Sequence, residues 1–182
     1  MPKPRIEGTC HICGTHGPLS FEHVPPRAAF NDRPVVAIPF DQALSLGPND
    51  ETPKGKIQQR GMGGYTLCER CNNNTGAWYG PAFVEWCYRG LDILIRAGGK
   101  PSLIYLHHII PLQIIKQVVT MFFSAVREDW HKKNQELVEF VLNPERRYLP
   151  PQYGFYVYYN IQGTLRFNSI VATMNIHKAR SG

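Results

Sequence analysis

The sequence predicts an α+β protein in which a small module, held together by a bound metal ion, precedes a helical region. Two Cys-x-x-Cys pairs, at positions 10–13 and 68–71, bracket the first part of the chain. Two such turns can supply the four thiolates of a closed tetrahedral zinc site. The rest of the chain shows helical periodicity followed by strand-like alternation. We therefore assign a zinc-bound module to residues 1–80 and an α+β region to residues 81–182.

Short strands and turns are expected in the module. The runs Leu19–Val24 and Val35–Ile38 have strand composition. Between them and the second cysteine pair, Asp41–Gly64 is polar and rich in Gly and Pro, which predicts a long functional loop. Tyr65–Leu67 could form a strand that leads into the pair. A helix would then begin near Cys71-Asn72.

Three helices and a hairpin are predicted after the module. Pro81 suits the first position of a helix, and a second helix opens at Pro111, where polar residues form one narrow stripe, so most of its surface should be buried. A third helix is expected over Asn134–Leu142. The aromatic runs Tyr153–Asn160 and Thr164–Met174 flank a Gln-Gly turn and predict a C-terminal β-hairpin.

The net positive charge of the chain favours a polyanionic partner but does not identify it. The 182-residue chain has a formal net charge of +6 and a pI near 9.1. Such an excess suits nucleic acid, but it is also common among proteins that bind none. Composition alone therefore leaves the partner open.

No targeting or membrane segment is evident. Met1–Glu7 lacks an apolar signal region. The most apolar stretch, Ile109–Val126, contains Pro111 and Lys116, which a membrane span would tolerate poorly. We expect a cytoplasmic protein without a membrane partner, in which paired cysteines favour zinc over disulfides. The unpaired Cys87 is expected to be a small buried apolar residue.

The order of the motifs resembles the HNH (ββα-metal) endonuclease family in its zinc-clipped form. That family has Cys-x-x-Cys, then an acidic residue and His near a Pro, then Cys-x-x-Cys followed directly by His or Asn. This chain has Glu22-His23-Val24-Pro25-Pro26 between its cysteine pairs and Asn72-Asn73-Asn74 after the second. The resemblance covers roughly residues 8 to 80. It implies hydrolysis of phosphodiester bonds in nucleic acid; DNA is favoured over RNA as the substrate, and the sequence leaves that choice open.

The resemblance also implies a role for each site residue. His23 would be the general base, since imidazole can accept a proton near neutral pH. Glu22 and Asn72 would hold a catalytic Mg²⁺ or Mn²⁺, a hard ion that favours carboxylate and amide oxygens. These three side chains are expected to meet in an open groove, with Asn73 or Asn74 as a substitute ligand. The structural zinc would be held by Cys10, Cys13, Cys68 and Cys71.

Other residues leave alternatives open. Arg27 and Arg70 could contact phosphate or could be ordinary solvated surface. Two family features are missing: the middle Asn, whose place is taken by 63–65, and a Lys, whose place is taken by Thr75. A zinc-ribbon module that binds nucleic acid without cutting it is the alternative function. A dithiol redox protein is disfavoured because two pairs are present and no βαβ pattern surrounds either.

Overall fold

The structure is a computed structural model that describes residues 5–38, 55–98 and 108–156. It confirms a mixed α+β protein with antiparallel strands first and helices after them. The strands are β1 (Glu7–Thr9), β2 (His16–His23), β3 (Val35–Ala37), β4 (Lys56–Gln58) and β5 (Gly63–Cys68). The helices are α1 (Glu69–Arg96), α2 (Pro111–Ala125), α3 (Trp130–Lys133) and α4 (Gln135–Leu142). From position 157 onward, the predicted C-terminal hairpin lies outside the described residues.

A three-stranded antiparallel sheet carries both cysteine pairs. Its strand order is β1-β2-β5, and Thr9 pairs with His16 across the β1–β2 hairpin. Cys10 and Cys13 lie in the turn of that hairpin. Leu19 of β2 pairs with Cys68 at the end of β5, so the sheet brings the second pair beside the first.

The chain passes directly from β5 into one long helix. Helix α1 begins at Glu69, two residues before the predicted start at Cys71, and continues to Arg96. The prediction of a new helix at Pro81 was wrong, because Pro81 lies inside α1. Proline at this position cannot donate to the carbonyl group of Ala77, a cost that helix interiors normally avoid. The boundary drawn between residues 80 and 81 therefore falls within a continuous helix.

The later helices agree with the sequence patterns. Helix α2 begins at Pro111 as predicted, and α4 occupies most of the range 134–142. The polar stripe of α2 is an exception, because much of it is buried rather than exposed. Its buried members are Lys116, Gln117, Thr120 and Ser124. No described helix is both long enough and apolar enough to cross a membrane.

One hydrophobic core joins the cysteines to the helices. Its buried residues come from the β1–β2 turn, β5, the first turn of α1, α2 and α4. They are Cys10, Ile12, Leu67, Cys71, Val119, Phe123, Leu137, Phe140 and Val141. The cysteine module therefore buries its apolar surface against the helices that follow it.

Two strands form a separate ribbon within the predicted loop. Strand β3 pairs antiparallel with β4, and Val36 lies directly opposite Ile57. Strand β4 was missed because Asp41–Gly64 has the composition of a loop; the residues 39–54 of this connection are not described. We call β3 and β4 the ribbon.

Buried polar groups fasten α4 to its neighbours. The Tyr79 hydroxyl group of α1 donates to the carbonyl oxygen of Val141 at 2.9 Å. The Lys116 ammonium group of α2 donates to the carbonyl oxygens of Asn143 and Pro144, at 2.6 and 3.1 Å. Positive charge at the carboxyl end of a helix is favourable, and burial lowers the pKa of Lys116. These contacts satisfy carbonyl groups at the end of α4.

We predict that Tyr79→Phe will lower the free energy of unfolding by about 1–3 kcal/mol, because it leaves a buried carbonyl group without its donor. Urea denaturation followed by circular dichroism measures the change. Tyr148→Phe is the matched control, since that side chain is 83% exposed and should leave stability unchanged. Equal stabilities of the two variants would show that the Tyr79 hydroxyl bond does not fasten α4.

Candidate functional site

The four paired cysteines converge at one point. Their sulfur atoms all lie within 4.8 Å of one another, and Cys10 and Cys71 are buried. The Sγ atoms of Cys13 and Cys68 are 3.8 Å apart, far longer than a disulfide bond of about 2.05 Å. A tetrahedral ion with Zn–S distances of about 2.3 Å requires S···S distances of about 3.8 Å. The cluster therefore has the ligand type, number and spacing of a structural zinc site.

The electrostatics of the cluster also favour a cation. The pKa of the Cys10 thiol is lowered to about 4, chiefly because Cys71 donates a hydrogen bond to it. The same bond raises the pKa of Cys71, and burial raises that of Cys68. Several thiolates this close together repel one another, and a bound divalent cation removes that repulsion.

Histidines dock the first cysteine turn onto the helices. The His11 ring donates from Nδ1 to the carbonyl oxygen of Phe123 in α2 at 2.9 Å. Gly14 has a positive φ of 71°, and a Cβ atom there would lie only 2.5 Å from Nε2 of the buried His131. Glycine is therefore required for both the turn and its packing. Neither His11 nor His131 belongs to the set of metal-ligating atoms that the cysteines form.

The Glu22 side chain lies in the interior, against α2. It is 6% exposed, and Ser124 donates a hydrogen bond to its Oε2 atom. Burial raises the pKa of Glu22 to about 7, although the Ser124 bond acts in the opposite direction. In this position Glu22 is covered by the protein, which differs from the open groove that the resemblance implied.

The strand register explains where Glu22 and His23 point. They pair in succession with Gly64 and Gly63 of β5, and successive residues of a regular strand face opposite sides. The irregularity lies earlier, between Ser20 and Phe21. Glu22 and His23 therefore lie in a regularly paired part of β2. A Cβ atom on Gly63 would lie 2.2 Å from the Glu22 carbonyl oxygen, so this close pairing requires glycine.

His23 presents an unpartnered nitrogen. The residue is half-buried at the end of β2, and its ring packs edge-on against Phe21 with centroids 5.0 Å apart. Among the described residues, no group forms a hydrogen bond with the buried Nε2 atom. Buried polar atoms are normally paired with protein or water. An unpaired imidazole nitrogen therefore fits a base whose partner is a water molecule or substrate.

Asn72 is fixed against the same strand. Its Nδ2 atom donates to Ser20 Oγ at 3.0 Å and to the Phe21 carbonyl oxygen at 3.2 Å. These bonds orient the amide group and leave its Oδ1 atom without a hydrogen bond from the described residues. Asn73 is exposed and Asn74 half-buried, and neither makes a side-chain bond to β2. The helix start uses no side-chain cap, so Asn72 acts as a strand contact rather than a cap.

The two predicted arginines lie on the surface. Arg27 is exposed in the turn after β2, and Arg70 is exposed in the first turn of α1. Neither forms an ion pair within the described part of the chain. Both are accessible to a phosphate group and equally to solvent, so their role stays a prediction.

Sequence patterns missed two residues that hold the site together. Ser124 is 102 positions from Glu22, so no local spacing could relate them. The buried Asn31 donates to the carbonyl oxygens of Pro25 and Met62 at 2.6 and 2.7 Å and accepts from the Met62 amide at 2.7 Å. It joins the turn after His23 to the start of β5. Asn31 lies between Pro26 and Pro34 in a run without strand or helix periodicity, so no sequence pattern singled it out.

Comparison of the chain with protein-family models, curated proteins and solved structures found no match. The resemblance to HNH endonucleases therefore rests on the sequence motifs, of which the structure supports the cluster of four cysteines.

We predict one zinc ion per chain in the purified protein. Cys68→Ser should lose it and unfold, because apparent zinc-binding free energies of about 10–16 kcal/mol in zinc-finger peptides match or exceed typical domain stabilities of about 5–15 kcal/mol. Elemental mass spectrometry and thermal melting measure both effects. Since Cys10 and Cys71 share a core with α2 and α4, helical circular dichroism should be lost in the same transition.

Cys87→Ser is the control for that experiment. Cys87 lies on α1 outside the cluster, and burial raises the pKa of its thiol to about 11. The variant should keep one zinc ion per chain. A Cys68→Ser protein with the zinc content and melting temperature of the parent would exclude the four-cysteine site.

Proposed function

We propose that the protein is a metal-dependent HNH-type endonuclease that hydrolyses phosphodiester bonds in DNA and uses a structural zinc ion. The observation that carries the proposal is the contact of Asn72 with β2. It fixes the residue after the second cysteine pair to the carbonyl group that precedes Glu22-His23. A carboxyl group and an imidazole, which face opposite sides of β2, follow directly in the strand, and these are groups that a metal-dependent phosphodiesterase uses together with an amide.

The zinc site would position these groups without taking part in the reaction. Four thiolates complete the tetrahedral coordination sphere of zinc and leave no open position for substrate. They connect the β1–β2 turn to the junction of β5 and α1. Because Asn72 directly follows Cys71, and β2 directly follows the first cysteine turn, zinc binding would fix the distance between them.

His23 would act as the general base. Its Nε2 atom, which lacks a partner among the described residues, would take a proton from the attacking water. The water oxygen then forms a bond to phosphorus, and the bond from phosphorus to the leaving oxygen breaks. A divalent ion such as Mg²⁺ or Mn²⁺, when bound, supplies positive charge that stabilises the departing oxygen. Glu22 and Asn72 are the residues that would hold it.

The donor set fits such an ion chemically. A carboxylate and an amide oxygen are hard ligands, and Mg²⁺ keeps several waters alongside one or two such groups. The Oδ1 atom of Asn72 has no hydrogen bond from the described residues, and Ser124 would be the outer partner that orients Glu22. The net charge of +6 favours approach of a polyanion.

A second candidate function is a zinc-dependent nucleic-acid-binding module that does not cut. The burial of Glu22 against Ser124 specifically favours it, because this carboxyl group has a complete structural role without any metal. A binding module needs neither a divalent ion nor the base. The two functions therefore differ in what substitutions at His23 and Glu22 do.

We predict that His23→Ala will keep zinc, fold and DNA affinity but lose cleavage by about 10²–10⁴-fold, the usual cost of removing a general base. Nicking of supercoiled plasmid with Mg²⁺ or Mn²⁺ measures the rate. His16→Ala is the control, because His16 is exposed at the other end of β2. If His23→Ala cuts as fast as the control, His23 is not the base. If the parent cuts no DNA with either ion, the binding module is the correct function.

We predict that Glu22→Gln will keep the fold and lose metal-dependent cleavage. The glutamine carbonyl oxygen can still accept the Ser124 hydrogen bond, but a neutral amide is a weaker ligand for a divalent ion. Loss of a residue that only orients a metal ligand typically lowers metal affinity by about 10–100-fold. Because Glu22 would be a direct ligand, the Mg²⁺ concentration for half-maximal nicking should rise by more than that. Unchanged Mg²⁺ dependence at the parent's stability would restrict Glu22 to a structural role.

A further inference from the structure

The ribbon is anchored beside the candidate site at the end where β3 begins and β4 ends. Strand β3 follows Asn31, and β4 is followed by Met62. The side chain of Asn31 bonds to both the amide and the carbonyl group of Met62, and Val24 donates from its amide to the Met62 carbonyl oxygen at 3.0 Å. The turn after His23 and this end of the ribbon therefore form one hydrogen-bonded junction.

The ribbon has an exposed apolar pair. Val36 and Ile57 face each other across the two strands and are 51% and 60% exposed. Within the described residues, no other strand or helix packs extensively on β3 or β4. An isolated two-stranded hairpin is only marginally stable in water. Its apolar face therefore suits a partner better than solvent.

Basic residues occur on the ribbon and beside it in the sequence. Arg33, Lys56 and Arg60 are exposed, with Asp32 the one acidic residue in the described ribbon and its flanks (31–38 and 55–62). None of the three basic residues forms an ion pair with a described carboxylate. The ribbon and its flanks thus combine positive charge that has no described ion-pair partner with an exposed apolar pair, which is complementary to a phosphate backbone beside base edges.

We propose that the ribbon is a docking arm that enters the major groove of duplex DNA and presents the bound duplex to the site at His23. This inference rests on the proposed function. The major groove is about 12 Å wide and admits a two-stranded ribbon, whose strands are about 4.8 Å apart. Arg33, Lys56 and Arg60 contact phosphates at the groove edges. Val36 and Ile57 contact apolar groups in the groove, such as thymine methyl groups.

The dimensions of the groove separate DNA from RNA. The major groove of A-form RNA is too deep and narrow for protein side chains to read. A ribbon that works in a major groove therefore contributes to binding of duplex DNA and not of duplex RNA. This is the substrate preference that the ribbon adds to the site.

The first test uses the salt dependence of binding to a duplex DNA oligonucleotide, measured by fluorescence anisotropy in the full-length His23→Ala protein without added divalent ion. Arg33→Ala/Lys56→Ala/Arg60→Ala should weaken binding. It should also reduce the slope of log K against log salt by about 2–3, since each lost phosphate contact removes about 0.9. The control is Lys132→Ala/Lys133→Ala/Arg147→Ala, which removes three exposed charges from the helical region. A ribbon variant with the same slope as the control overturns the proposal.

The second test concerns the apolar pair. Val36→Ser/Ile57→Ser should weaken duplex DNA binding at least tenfold, leave the melting temperature unchanged, and leave binding of duplex RNA of the same sequence unchanged. Equal loss for DNA and RNA overturns the major-groove contact. A lower melting temperature with unchanged DNA affinity overturns the docking arm and shows that the face is covered within the chain.

These outcomes are independent of the nuclease activity. Ribbon-dependent DNA binding by a parent protein that never cuts supports the docking arm and rejects only the enzyme. Cleavage by a parent whose DNA binding does not depend on the ribbon supports the enzyme and rejects only the docking arm.

Discussion

Four cysteine sulfur atoms converge beside one hydrophobic core. This convergence determines where the candidate site residues Glu22, His23 and Asn72 lie. The sulfurs lie within 4.8 Å of one another, at a separation that suits a tetrahedral zinc ion. Two of them, on Cys10 and Cys71, belong to the same buried cluster as Phe123 and Phe140. Ion binding at this site would therefore be coupled to helix packing, because the cysteine module and the helices bury their apolar surfaces against each other.

This coupling places the candidate site at the contact between the cysteine module and the helices. Asn72 reaches β2 because Cys71 fixes the first turn of α1, and Glu22 reaches Ser124 because α2 packs behind the sheet. His23 lies on the other face, where its Nε2 atom has no described partner. Glu22 has a hydrogen-bond partner inside the protein, whereas His23 Nε2 and Asn72 Oδ1 have none among the described residues. The proposed nuclease needs both groups for its reaction, whereas a binding module that uses the same scaffold needs neither.

Local chemistry made much of the fold predictable. The spacing of the cysteines predicted their cluster, and Pro111 marked the start of α2 because proline suits the first turn of a helix. The same rule failed at Pro81, where the packing of α1 against its neighbours outweighs the lost hydrogen bond. The contacts of Glu22 with Ser124 and of Asn31 with Met62 could not be predicted, since they join residues 102 and 31 positions apart. Strand β4 was missed because a pairing between distant segments leaves little trace in a Gly-rich run.

The most direct test of the four-thiolate site is X-ray absorption at the zinc edge of the purified protein. Four sulfur neighbours at about 2.3 Å are predicted, with no nitrogen or oxygen in the first shell. A histidine nitrogen or a water oxygen among the ligands, or fewer than four sulfurs, would contradict a closed structural site. The zinc could then no longer be assigned the role of fixing α1 against β2.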